Sequence, residues 1–400
     1  MRKTNKAIVL DLGLTGYGIV KCLSEKDIPI IGLHNAEWKP IANHSRFVEK
    51  SVVLSDNNEE IGRTVSNEET LNSLLDIGKN LDEKGVLFIA SDYFVDFCSR
   101  NAEELSEYFH VPISSKYNIH EALYKDKMNE IAKKAGLNVL KCEIINRDSN
   151  LEEKLSGFPE LTIVKPANSL QGYKDRMGIA NTQKELYKLV DEKFKYCTDL
   201  IVMEYIPGDG TRIEEAYGLM LPNKKAFIPF TLKKIRQHPT LLVGSGTLAE
   251  STSQEDIREM TRKFVEELQM QGPLHVEYKR HPETNQPIFI EANYRIGSNI
   301  TLSAAAERNI PYIHYLIATN QQISMDEKSI PGIRWLEEHR DWKLVESGQI
   351  TKEQLIGEYK NVKAFSIYNS RDPEPFRIET MRNPFRIINE EYIKSLANHN

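Results

Sequence analysis

The tightest constraint on this chain lies between positions 274 and 295, in the run HVEYKRHPETNQPIFIEANYR that begins at His275. Two β-rich runs, 274–279 and 288–295, flank a turn-forming HPETNQP segment, so a hairpin is expected. Symmetry about Thr284 puts Val276, Tyr278, Ile288, Ile290 and Ala292 on one face, because side chains alternate along strands. The other face then carries Glu277 opposite Glu291, with Asn293 and Arg295 following at the two-residue period. Like charges opposed across a strand pair repel. A divalent cation between them would turn that repulsion into a site for a hard, oxygen-seeking metal. Taken alone, the segment also fits a solvent-exposed hairpin whose charges serve no ligand.

The 400 residues allow two or three domains of about 150 residues each, with ample chain for real cores. A net charge of −6 gives no electrostatic footprint for nucleic acid, so a phosphate ligand would have to be held by local lysines and arginines. Cys22, Cys98, Cys142 and Cys197 are far apart and form no CxxC pair. That spacing argues against a zinc site and a disulfide framework, and fits a reducing cytosol. The opening MRKTNK runs straight into AIVLDLGL, too short for a signal segment and without a cleavage site. No apolar run approaches the roughly 20 residues that span a bilayer. A cytoplasmic protein with neither a nucleic-acid nor a membrane partner is expected.

Residues 1 to about 115 alternate short apolar runs with amphipathic stretches. Strands over 7–10, 29–33 and 86–90 and a helix over 18–26 imply a parallel, doubly wound sheet. From 118 to 136 the pattern is helical, with Met128, Ile131, Ala132 and Ala135 on one face and Gly136 as C-cap. Strands follow at 162–165, 200–205 and 225–230, and a helix at about 253–269 precedes the hairpin. Residues 326–400 are polar and mixed, with DPEPF and RNPF turns, and read as an extension packed on the main body.

Five constellations could carry chemistry, and each also has a plain structural reading. Gly13-Leu-Thr-Gly16-Tyr-Gly18 is GxxGxG rather than GxGxxG, so it misses the dinucleotide fingerprint and reads as a tight strand-to-helix turn. A small anion at that helix N-terminus is the alternative. Lys127 sits at the start of the amphipathic helix, just off its apolar face, where a solvated charge is the ordinary case. Lys165 ends an apolar strand before Pro166 and a loop of small and polar residues, and points a compact cation at whatever the loop encloses. That loop could offer backbone N–H groups to phosphates, but its one glycine before Tyr173 is Gly172. Glu204-Tyr205-Ile206-Pro207-Gly208-Asp209 suits a hinge whose backbone meets a purine edge, or an ordinary Pro-Gly turn. Arg236, in LKKIRQHP before Gly244 and Gly246, could fork onto a carboxylate or phosphoryl group, or belong to a basic surface loop.

The order of these fragments resembles the ATP-grasp superfamily over about residues 5–325, most specifically in GPLHVEYK…FIEANYRIGSN. Within it the chain is most similar to the carboxylate–amine ligases of the D-aspartate ligase and carbamoyl-phosphate-synthase-like group, a placement that KIRQHP and DPEPF support. The resemblance implies an α/β fold, α+β in its ATP-grasp part. A Rossmann-like pre-ATP-grasp domain would span 1–115, a two-subdomain ATP-grasp unit 116–325 with a lid at about 140–200, and a C-terminal extension 326–400. It implies ATP and Mg²⁺, with Mn²⁺ as a substitute. Lys127 and Lys165 would contact the phosphates, Lys165 near the adenine as well. Glu204, Tyr205 and Ile206 would form the adenine hinge, and Asp209 a ribose contact. Glu277, Glu291 and Asn293 would hold one or two Mg²⁺ ions. Arg295 and Arg236 would stabilise the transferring phosphoryl group.

The implied reaction joins a carboxylate, an amino acid by the sub-family, to an amine through an acyl phosphate, releasing ADP and phosphate. Such chemistry needs positioning and charge neutralisation rather than a nucleophile, and no Ser–His–Asp or Cys–His set stands out. The implied partners are small-molecule carboxylate and amine substrates, and a homodimer is an assembly the resemblance allows. Bicarbonate chemistry through carboxyphosphate is the alternative, although no biotin-carrier or glutaminase segment accompanies it. A nucleotide-binding protein without turnover is a third reading. Two departures stand out: the loop after Lys165 lacks a run of glycines, and Tyr294 stands where the family often has proline.

Overall fold

The computed structural model describes residues 4–35, 40–54, 67–167, 177–238, 244–359 and 361–382. All four residues of β1 (Ala7–Leu10) are buried, as expected of a strand with both faces covered. It pairs in parallel with β2 (Ile30–Asn35) on one side and β4 (Gly85–Ile89) on the other. β3 (Val48–Leu54) and β5 (Phe109–His110) complete a five-stranded sheet of order β3-β2-β1-β4-β5. Strand order reverses between β1 and β4, so the crevice beyond their carboxyl ends is where ligands of such sheets sit. The helix after β1 runs Leu14–Ser24, earlier than the 18–26 read from sequence. A Cβ at Gly16 would lie 1.9 Å from the Asp11 carbonyl oxygen. The Asp11 carboxylate itself accepts from the Gly13 N–H at 2.8 Å. These glycines therefore make a tight turn, and an anion there would face a fixed negative charge.

The expected helical stretch 118–136 divides into Ile119–Ala122 and Lys125–Lys134, with Gly136 left-handed at φ 76°. A four-stranded antiparallel sheet follows. β6 (Cys142–Asn146), β7 (Thr162–Pro166), β8 (Gly178–Ala180) and β9 (Asp199–Glu204) take the order β6-β9-β7-β8. Helices Leu151–Leu155 and Gln183–Lys193 cover one face of it through Val164, Leu186, Val190 and Val202. The other face carries Ile163, Ile201 and Met203. The loop 168–176, on which the phosphate-loop expectation falls, lies outside the described residues.

The third sheet has seven strands: β10 (Ile213–Met220), β11 (Ala226–His238), β12 (Ser245–Thr252), β13 (Leu274–Arg280), β14 (Pro287–Asn293), β15 (Arg334–Leu336) and β16 (Val362–Phe365). Their order is β14-β13-β10-β11-β12-β15-β16. The helix Glu255–Leu268 packs Phe264 and Val265 against Val276, Tyr278 and Phe289. The basic LKKIRQH run is strand rather than loop. Two strands of this sheet come from beyond residue 326, so that segment is built into the sheet.

The expected hairpin forms with Glu277 opposite Glu291, but its register shifts at Tyr278, which faces Phe289. Ile290 is the extra residue of a β-bulge. Phe289 is therefore buried with Tyr278, and Ile288 and Ile290, expected on the apolar face, are only half-buried. No helix among the described residues is long and apolar enough to cross a membrane.

Candidate functional site

Register alone assembles a row of acids. Glu291 faces Glu277 across β14 and β13, Glu277 faces Glu215 across β13 and β10, and Glu215 faces Leu232 on β11. Residues directly opposite share a face, so these carboxylates all lie on the side away from the Glu255–Leu268 helix. One register step along, Asn293 faces His275, which faces Tyr217. Lys234 joins them from β11, two positions beyond Leu232.

The row is bound into a continuous network. Lys234 Nζ lies 2.9 Å from Glu277 Oε2 and 3.4 Å from Glu215 Oε1. His275 Nε2 is 2.8 Å from Glu215 Oε2, to which Asn299 Nδ2 also donates at 2.7 Å. Arg295 Nη2 donates to Asn293 Oδ1 at 3.2 Å, which turns the amide nitrogen toward His275 Nδ1 at 3.4 Å. The ring's Nε2–H is then the donor to Glu215. His275 also stacks on Tyr217 at 4.8 Å. Burial opposes the Lys234 charge, but Glu277 and Glu215 outweigh it and hold the ammonium above the ordinary lysine range. Burial likewise pushes the Glu215 carboxyl up, yet Lys234, His275 and Asn299 hold it below the usual carboxylate range.

Two donor sets in this network could take a metal. The ligand atoms of Glu215, His275 and Glu277 lie within 4.8 Å of one another, but Glu215 is buried and one of its oxygens already takes both His275 and Asn299. A hard divalent cation better fits Glu277 and Glu291, whose carboxylates oppose each other, with the Asn293 amide oxygen two positions on. All three are partly exposed, and the set is oxygen throughout.

Cations reach this face from two other elements. Lys165, on β7, shares its sheet face with Ile163, Ile201 and Met203. Burial lowers its pKa against the pull of Glu291, Cys142 and Glu277. Lys125 opens the helix Lys125–Lys134. Burial and then the Lys165 charge push it down to about 8, while Glu291 and Asp92 act in the opposite sense. Arg295 pairs with Asp92, its Nε 2.7 Å from Oδ1.

The Glu204–Gly208 segment leaves β9 as a pinned turn. Glu204 Oε2 accepts from the Lys141 N–H at 3.0 Å, and Tyr205 N–H donates to the Leu161 carbonyl at 3.2 Å. Lys279, two positions beyond Glu277, donates to the carbonyls of Ile206 and Gly208 at 2.8 and 2.6 Å and lies 4.5 Å over the Tyr205 ring. The turn is thereby fixed to the large sheet. Asp209 is exposed, and its carboxylate accepts from the Thr211 N–H at 3.0 Å.

Two expected residues do not join the cluster. Lys127 is exposed and pairs with Glu130 at 3.1 Å; it points away, and Lys125 holds the inward position. Arg236 forks onto Asp341, Nε to Oδ1 at 2.8 Å and Nη2 to Oδ2 at 2.7 Å, and also pairs with Glu358. The cause is a bulge: Lys234 faces Ala249 but Arg236 faces Leu248, so the two emerge on opposite sides of the sheet. Lys234 occupies the place expected of Arg236. Sequence reasoning also passed over Asp92, Glu215, His275 and Lys279. Glu215 and Lys279 were within reach of the alternation rule, once β10 was paired with β13.

No family model matches the chain. It is 21% identical over 384 residues to a D-aspartate ligase of Enterococcus faecium, the match covering 88% of each protein. Among solved structures it is similar to the N5-carboxyaminoimidazole synthetase of Staphylococcus aureus complexed with ADP, with TM-score 0.66 and 13% identity over 87% of this chain and 86% of that one. It is also similar to an L-amino acid ligase of Bacillus licheniformis, with TM-score 0.60 and 16% identity over 82% and 75%. A biotin carboxylase domain of Hydrogenobacter thermophilus in complex with MgADP gives TM-score 0.64 and 14% identity over 83% and 73%. At these identities the likenesses establish the fold.

Proposed function

We propose, from the ATP-grasp fold that the chain shares with these structures, that it is an ATP- and Mg²⁺-dependent ligase joining a carboxylate to an amine. The observation that carries this reading is the Glu277–Glu291 register pair, with Asn293 beside it and Lys125 and Lys165 reaching the same face. Lys125 and Lys165 bind the ATP phosphates as point charges. The Glu204–Ile206 hinge takes the adenine against the apolar face of Ile163, Ile201 and Met203, with Asp209 toward the ribose. Mg²⁺, held by Glu277, Glu291 and Asn293, would neutralise charge on the β- and γ-phosphate oxygens.

A carboxylate is a poor acylating agent because its leaving group would be oxide. Its oxygen attacks the γ-phosphorus and ADP departs; the amine nitrogen then attacks the acyl carbon, the C–O bond to phosphate breaks, and phosphate and the amine's proton leave. Arg295 stabilises the phosphoryl group in transfer. Acyl phosphates hydrolyse, so the 140–200 segment is assigned the role of a lid that excludes water. The relative from Enterococcus faecium is a D-aspartate ligase, which favours an amino acid as the carboxylate and an amino acid or peptide-like amine. Four free thiols, at Cys22, Cys98, Cys142 and Cys197, suit a reducing cytosol.

The test is phosphate release from Mg-ATP across paired amino acids, small carboxylates and amines. Release that requires both an acid and an amine supports the ligase. Release stimulated by bicarbonate alone would replace it with carboxyphosphate chemistry, and Mg-ATP binding without turnover on any pair would leave a nucleotide-binding protein.

A further inference from the structure

Asp92 reaches the phosphoryl-transfer face from outside the two sheets that enclose it. It lies just past the carboxyl end of β4, at the switch point of the parallel sheet, as the first residue of the helix Asp92–Arg100. An acid in a first helical turn is favoured by the helix dipole, which would explain its presence in an exposed turn. This one, however, faces inward. Its Oδ1 accepts from Arg295 Nε at 2.7 Å and its Oδ2 from Nη2 at 3.4 Å, a two-point contact that fixes a guanidinium plane as a single bond does not. The same guanidinium donates to Asn293 Oδ1 and, from Nη1, to the Ile296 carbonyl, each at 3.2 Å. Among the described residues three groups hold Arg295, and of these only Asp92 comes from the N-terminal unit. Both partners are largely sheltered, with side chains 19% and 24% exposed, so water competes weakly for the contact.

An arginine has long rotamer freedom to lose. A guanidinium that must meet a developing charge gains by being ordered beforehand. We propose that Asp92 is a positioning residue for phosphoryl transfer: it holds Arg295 in its working orientation and, through Arg295, orients the Asn293 amide. This rests on the ligase reading for the role of Arg295, and it adds the N-terminal sheet to the machinery of the reaction.

Two measurements on the full chain test it. Arginine-selective ¹⁵N NMR of the unliganded protein should show a protected Nε–H resonance that is absent in Arg295→Lys. That resonance should be lost to exchange in Asp92→Asn and retained in Asp92→Glu; an unchanged resonance in Asp92→Asn overturns the contact. Binding of Mg-ADP and of the β,γ-imido analogue of Mg-ATP is then compared. Asp92→Asn should weaken the imido analogue about tenfold and Mg-ADP less than about twofold, the scale of one charge-assisted contact. In the Arg295→Lys background Asp92→Asn should add no further loss. An equal loss in both backgrounds overturns the proposal, because Asp92 would then touch the ligand itself. Failure of the unaltered chain to bind either nucleotide overturns the ligase reading on which the role rests, and the NMR resonance separates that outcome from a failure of the contact.

Discussion

Lys125 and Lys127 stand two residues apart at the start of one helix and have different surroundings. Lys125 lies three before Met128 and seven before Ala132, and Lys127 four before Ile131, all buried, so the two flank opposite edges of the apolar face; Lys125 lies toward Lys165 and Glu291, while Lys127 is exposed and pairs with Glu130. Lys125→Met should therefore weaken Mg-ADP binding at least about tenfold, and Lys127→Met by less than about twofold, as measured by calorimetry. The reverse order would undo the assignment. Spacing alone does not decide between them, because each lies beside a buried residue of that face. What was not legible is that Lys125 is sheltered by the Lys165 strand, which joins it only in the fold. Its pKa of about 8 has a signed consequence. The folded-state value lies below the ordinary lysine value, so the unfolded chain binds this proton more tightly. This lysine therefore weighs against the fold below about pH 8, and the burden is relieved as pH rises toward the unfolded value. Nucleotide affinity should run the opposite way, falling above about pH 8 as the ammonium is lost. Titrations from pH 7 to 9.5 should show that fall and lose it in Lys125→Met.

Strand elements carried the site, and bulges decided its details. The opposition of Glu277 and Glu291 followed from counting about a turn, because a two-residue period leaves little freedom once a hairpin forms. The bulge at Ile290 lies in the same hairpin and was not legible, since no glycine or proline marks it. The bulge beyond Lys234 had the larger effect, sending Arg236 through the sheet to Asp341. Arg236 there is paired with Asp341, which points to a structural role. Arg236→Met leaves the fully buried Asp341 without its cation, and should lower unfolding free energy by about 3 kcal/mol in urea. Mg-ADP affinity of the folded fraction should stay within about twofold. A large loss of affinity with unchanged stability would return Arg236 to the site.

At the scale of the molecule, three sheets converge on one face, and the chain beyond residue 326 ties the large sheet to the N-terminal one. β15 and β16 extend the large sheet. Glu338 accepts from the N–H groups of Ser366, Ile367 and Tyr368 at 3.1, 3.1 and 2.7 Å. Lys21 donates to the Ser366 carbonyl at 2.8 Å, and Asp372 accepts from Ser45 Oγ at 2.6 Å. These charged residues made the segment read as an extension packed on the main body rather than as part of a sheet. Their burial is a property of the assembled sheets, not of any local period. Truncation at 326 would expose the β12 edge and strand the charges of Lys21 and Arg236. The shortened chain should lose near-ultraviolet circular dichroism and cooperative unfolding, and a cooperatively folding one would contradict this role. The central claim is that Glu277, Glu291 and Asn293, with the lysines beside them, activate a carboxylate by phosphorylation. It is tested most directly by ¹⁸O transfer, using whichever acid and amine release phosphate from Mg-ATP. With the acid labelled in its carboxylate, the account predicts one ¹⁸O in each phosphate released, and no release from Glu291→Gln. Unlabelled phosphate would mean that the carboxylate never attacks phosphorus, and the account would be wrong.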